Sequence, residues 1–245
     1  MYSTGMLDKA PDETLTILCQ GRLRLLQKKG AYRFSIDPIL LANFIHLKRR
    51  ERMLDIGTGC GIIPLYMAAR YPDNTLTGIE VQKELFDLAA KNLRINGCRN
   101  VQFLKGDIRT VARTVNAPFH VIVSNPPYVK KDTGRKSPQH SRCVARYESL
   151  LDLESLLAAS TSLLYTKGRL YLIYPAQRLA ELVATARAYD LEPHRLRLIH
   201  PRGCEPANLF LVECLKGGGS ELKVEKPLYI YDGSAYTEEV QSYYA

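Results

Sequence analysis

The fold of this chain is decided at Met53-Leu54-Asp55-Ile56-Gly57-Thr58-Gly59-Cys60-Gly61. The first four residues are predicted to form a short strand, and the glycines after them a tight turn. A helix is predicted over the next residues, 62–70, and it ends before Pro72. A strand, a glycine turn and a helix in this order provide a binding site for an anion or a nucleotide. The spacing is Gly-x-Gly-x-Gly, which differs from the Gly-x-Gly-x-x-Gly of nicotinamide-binding proteins.

Strands and helices continue to alternate after this turn. Further strands are predicted at 75–79, 101–104, 119–123 and 169–174, and helices are predicted between them, including one over 151–165 that ends at Lys167-Gly168. Two final strands, 194–199 and 208–215, have no helix between them and are therefore predicted to pair as a hairpin. The pattern predicts an α/β fold, with a seven-stranded and mostly parallel sheet, helices on both faces and an antiparallel last strand.

Segments on either side of this core divide the chain into three parts. Residues 1–50 are predicted to form an extension, with a hairpin that turns near Gln20-Gly21 and a helix that starts at Ser35-Ile36-Asp37-Pro38. Ser35 or Asp37 can cap that helix, and Pro38 suits its first turn. Residues 51–216 are predicted to form the core. Residues 217–245 begin with a glycine-rich joint and are predicted to be a tyrosine-rich tail that packs on the core.

Composition narrows the possible partners. The net charge is +9 over 245 residues, which favours a polyanionic partner such as nucleic acid, although a basic protein without such a partner has the same composition. The six cysteines form no Cys-x-x-Cys pair, so reduced thiols in a cytoplasmic protein are expected and zinc is not. No apolar run approaches about 18 residues, so we expect no membrane span, and the charged N-terminus does not resemble a signal peptide.

Acidic residues mark the ends of the first three core strands. Asp55 lies just before the glycine turn, where a carboxylate repels a pyrophosphate but holds a cation. Glu80 ends the second strand, where it can accept both hydroxyls of a ribose, and Asp107 follows the third, where it can accept from an adenine amino group. Each acid alone could be a helix cap or a solvated strand end. Together, without a Gly-Lys-[Ser/Thr] motif, they favour S-adenosylmethionine over ATP or NAD.

The fourth predicted strand stops abruptly at Asn125-Pro126-Pro127-Tyr128. The two prolines fix the backbone and remove two N–H donors, so neither a helix nor a strand can continue. The result is a rigid platform that holds the Asn125 amide and the Tyr128 ring in set directions. We expect this platform to bind a planar, amide-like nitrogen.

The glycine turn with Glu80, Asp107 and this platform resembles the class I methyltransferases of the Asn-Pro-Pro-Tyr group, which methylate amino groups. The resemblance covers residues 33 to 215 and implies a Rossmann-like core with S-adenosylmethionine as cofactor. Shorter motifs resemble the family that methylates N6 of adenine 37 in a valine tRNA. They are Tyr32-Arg33-Phe34-Ser35-Ile36-Asp37, Pro206-Ala207-Asn208, Pro227-Leu228 and Tyr236-Thr237-Glu238-Glu239.

The resemblance also implies roles for individual residues. The cofactor would be held by Asp55, Gly57, Gly59, Gly61, Glu80, Val81, Asp107, Ile108 and Asn125. The Asn125 side-chain oxygen and the Pro126 carbonyl would accept the N–H groups of the target amine, and Tyr128 would stack on the base. Independently of the resemblance, the basic run that follows the platform would meet the phosphates beside the target, and the residues expected to bind RNA are Pro127, Lys130, Lys131, Arg135, Lys136 and Arg142. No residue is assigned as a general base, and no metal is expected.

The platform alone does not identify the amine. The same four residues serve enzymes that methylate glutamine side chains of proteins and others that act on ribosomal RNA or DNA, and a non-catalytic RNA-binding module could retain the fold. The positive charge favours RNA. Only about fifty residues precede the first core strand, which leaves no room for the N-terminal domain of the glutamine enzymes. We therefore expect methylation of adenine N6 in RNA, with tRNA adenine 37 as the first candidate and glutamine methylation as the alternative.

Overall fold

The computed structural model describes residues 10–28, 35–111, 118–126 and 152–244. Its strands are, in chain order, β1 (Glu13–Leu18), β2 (Leu23–Lys28), β3 (Arg52–Ile56), β4 (Thr75–Glu80), β5 (Val101–Lys105), β6 (Phe119–Ser124), β7 (Leu164–Pro175), β8 (Leu191–His200), β9 (Leu209–Lys216), β10 (Lys223–Val224), β11 (Leu228–Tyr229), β12 (Tyr231–Asp232) and β13 (Ala235–Tyr236). Its helices are α1 (Asp37–Phe44), α2 (Ile62–Ala68), α3 (Lys83–Asn96), α4 (Ile108–Val111), α5 (Leu153–Leu163), α6 (Leu179–Ala188) and α7 (Glu238–Ser242).

The central sheet has the strand order β10-β8-β9-β7-β6-β3-β4-β5, and β11 also pairs with β8. Strands β3 to β7 are parallel, and β9 is antiparallel to both of its neighbours, β7 and β8. The predicted seven-stranded sheet with an antiparallel last strand is therefore confirmed, and the tail adds the two short strands β10 and β11 at one edge.

Two hydrophobic clusters cover the two faces of the sheet. Because side chains alternate along a strand, Met53 and Val121 belong to the cluster that contains α1 and α2, whereas Leu54 and Ile122 belong to the cluster that contains α5 and α6. Both faces are buried, as expected for a parallel sheet with helices on each side. The tail joins the α1 and α2 side through Leu228, Ile230 and Val240, which are buried there.

Two local predictions are wrong in detail. The helix predicted to reach Tyr165 ends at Leu163, because Leu164 already pairs with Phe119 of β6. The residues between Leu164 and Arg169 form a bulge in β7, in which Lys167 has a φ of 63°. At the start of α1 the N-cap is Ile36, whose side chain makes no capping bond, and the Ser35 hydroxyl only accepts from the Asp37 N–H at 3.3 Å.

The last glycine of the turn is fixed by packing. Gly61 has a φ of 84°, and a Cβ atom on it would lie 2.4 Å from Cζ of Phe103 in β5. A Cβ on Gly78 in β4 would lie 2.6 Å from the same ring. The Phe103 ring therefore occupies the space beside two glycines and holds the turn against β4 and β5.

We expect Gly61→Ala to lower the free energy of unfolding by about 3 kcal/mol, since it combines a steric overlap with Phe103 and left-handed backbone strain. Gly97→Ala is the matched control: Gly97 has a φ of 62°, but no described atom lies within 4 Å of its Cβ position. Gly97→Ala should therefore lower the free energy of unfolding by only about 1 kcal/mol. Urea denaturation measures both changes, and equal losses would show that packing against Phe103 does not restrict Gly61.

Candidate functional site

The ends of three neighbouring strands face one another at the carboxyl edge of the sheet. Asp55 in β3 pairs with Val123 of β6 on one side and with Gly78 of β4 on the other. Asn125 and Glu80 each lie two residues beyond these partners. Because adjacent strands are about 4.8 Å apart, both residues flank the start of the glycine turn from opposite sides. The register thus brings together residues that are far apart in the sequence.

Hydrogen bonds from the two neighbouring strand ends fix the glycine turn. The Thr58 hydroxyl donates to Oδ2 of Asp55 at 2.6 Å, and the Gly59 N–H donates to Oε2 of Glu80 at 2.9 Å. The N–H groups of Gly57 and Thr58 both donate to the Ile79 carbonyl at 3.0 Å. The turn therefore keeps its shape without a ligand.

The three glycines of the turn differ in their surroundings. Gly57 and Gly59 have φ angles of 74° and 59°, and no described atom lies within 4 Å of either Cβ position. Their backbone thus borders open space, into which a ligand can approach closely. Gly61 differs, because the Phe103 ring occupies its Cβ position. Gly61 is therefore expected to contribute to cofactor binding by shaping the turn.

Asp55 is a buried carboxylate with unused bonding capacity. It is 1% exposed, and its Oδ1 atom has no hydrogen-bond partner among the described residues. Burial, against the effect of the Thr58 hydrogen bond and with a further contribution from the nearby Glu80 carboxylate, raises the pKa of Asp55 to about 7. Such an oxygen is well suited to accept from an ammonium group.

Glu80 is oriented by the backbone around it. It is 2% exposed, and its two oxygens accept N–H groups from Gly59 and Gln82 at 2.9 and 3.0 Å. Burial raises the pKa of Glu80, while these hydrogen bonds act in the opposite direction. Each carboxylate oxygen can accept a second hydrogen bond, so the pair can still receive two hydroxyls. Val81, the next residue, is 39% exposed and offers an apolar surface beside them.

The surroundings of Asp107 and Ile108 limit how these two residues can bind a ligand. The Asp107 carboxylate is held by the Arg109 guanidinium and also accepts from the Arg109 N–H at 2.9 Å. This ion pair lowers the pKa of Asp107. An adenine amino group would therefore compete with Arg109 for the Asp107 carboxylate. The Ile108 side chain is buried in the α5 and α6 cluster, so only its backbone can reach a ligand.

The end of β6 is tied to β3 by Ser124, whose hydroxyl donates to the Ile56 carbonyl at 2.8 Å within the buried core. Ser124 was not recognised from the sequence, although a polar residue that closes an apolar strand is a usable signal. Asn125 and Pro126 follow it, half-buried and buried. The other predicted site residues lie outside the described residues: Pro127, Tyr128, Lys130, Lys131, Arg135, Lys136 and Arg142.

The described ranges contain no group of three or more His, Cys, Asp or Glu side chains that could hold a metal ion. None of the helices in the same ranges is long and apolar enough to cross a membrane. Five cysteines in the described residues are free thiols, namely Cys19, Cys60, Cys98, Cys204 and Cys214.

Comparison with known protein families and sequences gives a consistent result. The family model described as methyltransferase small domain matches residues 33–181. A protein named tRNA1(Val) (adenine(37)-N6)-methyltransferase from Tolumonas auensis is 33% identical over 191 residues, which cover 76% of this chain and 77% of the relative. A protein of the same name from Porphyromonas gingivalis is 36% identical over 154 residues, and this match covers 60% of the chain and 58% of the relative. The chain therefore spans less than two thirds of that relative.

Solved structures agree on the fold. A predicted O-methyltransferase from Agrobacterium tumefaciens has a TM-score of 0.68 and 25% identity, and the match covers 84% of this chain and 94% of that one. NSun6 from Pyrococcus horikoshii has a TM-score of 0.59 and 14% identity, covering 77% of this chain and 53% of its own. The second likeness concerns the fold alone.

The raised pKa of Asp55 predicts a pH effect on stability. The folded protein holds this proton up to pH about 7, whereas an unfolded Asp releases it near pH 4, so this residue's contribution to stability falls as pH rises between these values. Asp55→Asn keeps an acceptor for Thr58 but cannot ionise. The native protein should lose unfolding free energy relative to Asp55→Asn as the pH rises. We expect this difference in unfolding free energy to fall by about 2 to 3 kcal/mol between pH 5 and pH 8. Urea denaturation of both proteins across this pH range measures the difference. If their unfolding free energies change in parallel with pH, the raised pKa of Asp55 is contradicted.

Proposed function

The chain belongs to the methyltransferase small domain family, and we propose that it transfers a methyl group from S-adenosylmethionine to the N6 amine of an adenine in RNA, with adenine 37 of a tRNA as the target. The observation that carries this proposal is the position of Asn125 beside a glycine turn that is held by two buried carboxylates. This arrangement puts an amide that can bind an amine next to a site that suits a cationic nucleoside.

The empty bonding positions fit this cofactor. The unpaired oxygen of Asp55 would accept from its ammonium group, and the Glu80 carboxylate from its ribose hydroxyls. Gly57 and Gly59 let the backbone approach it, because no described atom fills their Cβ positions. A phosphate-bearing cofactor fits less well, since the buried carboxylates would repel it. When bound, S-adenosylmethionine supplies a methyl group that is activated by a positively charged sulfur.

Residues at the end of β6 would hold the target amine. The exocyclic nitrogen of adenine is a weak nucleophile, because its lone pair is conjugated with the ring. If the Asn125 side-chain oxygen and the Pro126 carbonyl accept its two N–H groups, the nitrogen becomes more tetrahedral and its lone pair is freed. Pro126 is buried, its ring fixes φ, and the proline that follows it in the sequence restricts its ψ, so its carbonyl is oriented in advance. Tyr128 would stack on the base.

Three observations support RNA as the substrate. The net charge is +9, and the sequence after the platform contains the basic residues expected to contact phosphates. The relatives from two organisms carry names that specify a tRNA adenine. Access to the target is feasible, because a base in a loop can leave its stack at a cost of only a few kcal/mol. A tRNA substrate would place the protein in the cytoplasm.

The proposal is tested by transfer of labelled methyl from S-adenosylmethionine to separate tRNA, ribosomal RNA and protein fractions. We expect label in tRNA, recovered as N6-methyladenosine after digestion. Asn125→Ala should reduce transfer by about a hundredfold or more, because it removes an acceptor that acts on the reacting nitrogen. Its affinity for S-adenosylmethionine, measured by calorimetry, should change by no more than about threefold.

Asn125→Asp is the matched control, since it keeps an acceptor oxygen at the same position and should retain more activity than Asn125→Ala. Label recovered from the protein fraction as methylglutamine would indicate that the substrate is a protein and not RNA. An equal loss of transfer and cofactor affinity in Asn125→Ala would contradict the amine-binding role of Asn125.

A further inference from the structure

Strand β2 is attached to helix α3 through two asparagine side chains. The Asn96 side chain accepts from the Arg24 N–H at 2.9 Å and donates to the Arg24 carbonyl at 2.7 Å. The Asn92 side chain does the same with Leu26, at 2.8 and 3.1 Å. Four residues span about 6 Å along a helix and two residues about 6.6 Å along a strand, so the two spacings match. Two side-chain amides thus take the place of a neighbouring strand.

The two asparagines differ in one further hydrogen bond. The second Nδ2 hydrogen of Asn96 goes to the Asn92 carbonyl at 2.7 Å, within the same helix. The second Nδ2 hydrogen of Asn92 goes to the carbonyl of Cys60 at 2.9 Å, in the glycine turn. Asn92 is 0% exposed, so water cannot replace this donor. Asn92 therefore bonds the hairpin and the turn at the same time.

The Cys60 carbonyl belongs to the peptide between Cys60 and Gly61, which lies just before the start of α2. Neighbouring peptides of the turn are held by Ile79 and Glu80, both from the side of β4. Asn92 holds the turn from the side of α3. If this donor is lost, the Cys60–Gly61 peptide keeps only the hydrogen bond from the Gly61 N–H to the Thr58 carbonyl at 3.0 Å, and the turn that borders the open space is held less firmly.

We propose that Asn92 is a positioning residue for the cofactor turn, and that through it the N-terminal hairpin becomes part of the cofactor site. The identity of the cofactor rests on the proposed function, whereas the effect of Asn92 on the turn does not. An ion pair of 2.8 Å between Lys91 and Glu13 attaches the hairpin to the same helix independently. The hairpin therefore keeps this ion pair and the bonds of the other asparagine when either asparagine is replaced.

The test compares Asn92→Ala with Asn96→Ala, because each variant loses two hydrogen bonds to β2 and only the first loses the bond to the turn. Both should lower Tm, and Asn92→Ala should lower it more, because the Asn92 bonds to β2 are buried whereas those of Asn96 are exposed. In the cofactor-free protein, amide hydrogen exchange at residues 57–61 should become about tenfold faster in Asn92→Ala and stay unchanged in Asn96→Ala, since tenfold corresponds to about 1.4 kcal/mol, or one net hydrogen bond. The Kd for S-adenosylmethionine should rise by about the same factor in Asn92→Ala only.

Equal exchange rates at the turn in the two variants would overturn the proposal, as would equal cofactor affinities. If Asn92→Ala does not fold, Asn92→Ser and Asn96→Ser give the same comparison, because a serine hydroxyl is too short to reach Cys60 from this position. If the native protein binds no S-adenosylmethionine, the proposed function fails, and the exchange rates alone decide the role of Asn92.

Discussion

The candidate site depends on one interaction above all, the hydrogen bond from the Gly59 N–H to the buried carboxylate of Glu80. It joins the turn after β3 to the end of β4 and so fixes the distance between two of the three strand ends that form the site. The Thr58 hydroxyl makes the matching bond to Asp55, and Ser124 ties the third strand end to β3. With these three bonds, Asn125 and Glu80 keep fixed positions on either side of the turn.

This arrangement has an electrostatic cost that a suitable ligand removes. Asp55 and Glu80 are both buried, burial raises the pKa of each, and the charge of Glu80 raises the pKa of Asp55 further. Two carboxylates in one dry site repel each other and favour a cation between them. A ligand that binds only the folded protein then also stabilises it. A cationic nucleoside without phosphate matches both the charge and the donors that this site needs.

Much of the fold and of the candidate site could be predicted from the sequence, because the sequence patterns that indicate them are local. The order of strands and helices, the pairing of β8 with β9, the family and the class of cofactor are confirmed. Contacts between distant segments could not be predicted in this way. The ion pair that occupies Asp107, the ring that fills the space beside Gly61 and the bond from Asn92 to the turn each depend on how elements pack. The bulge in β7 was missed because Lys167-Gly168 is equally typical of a helix end.

The central claim is that the strand ends around the glycine turn hold a methyl-donor cofactor with Asn125 facing it. A crystal structure with S-adenosylhomocysteine tests this most directly, because it shows each contact of the product that methyl transfer leaves. We expect the ribose hydroxyls on Glu80, the ammonium group on Oδ1 of Asp55, and the sulfur on the side of the turn that faces Asn125. A ligand bound elsewhere, or one that leaves the Asp55 oxygen without a partner, would contradict this account.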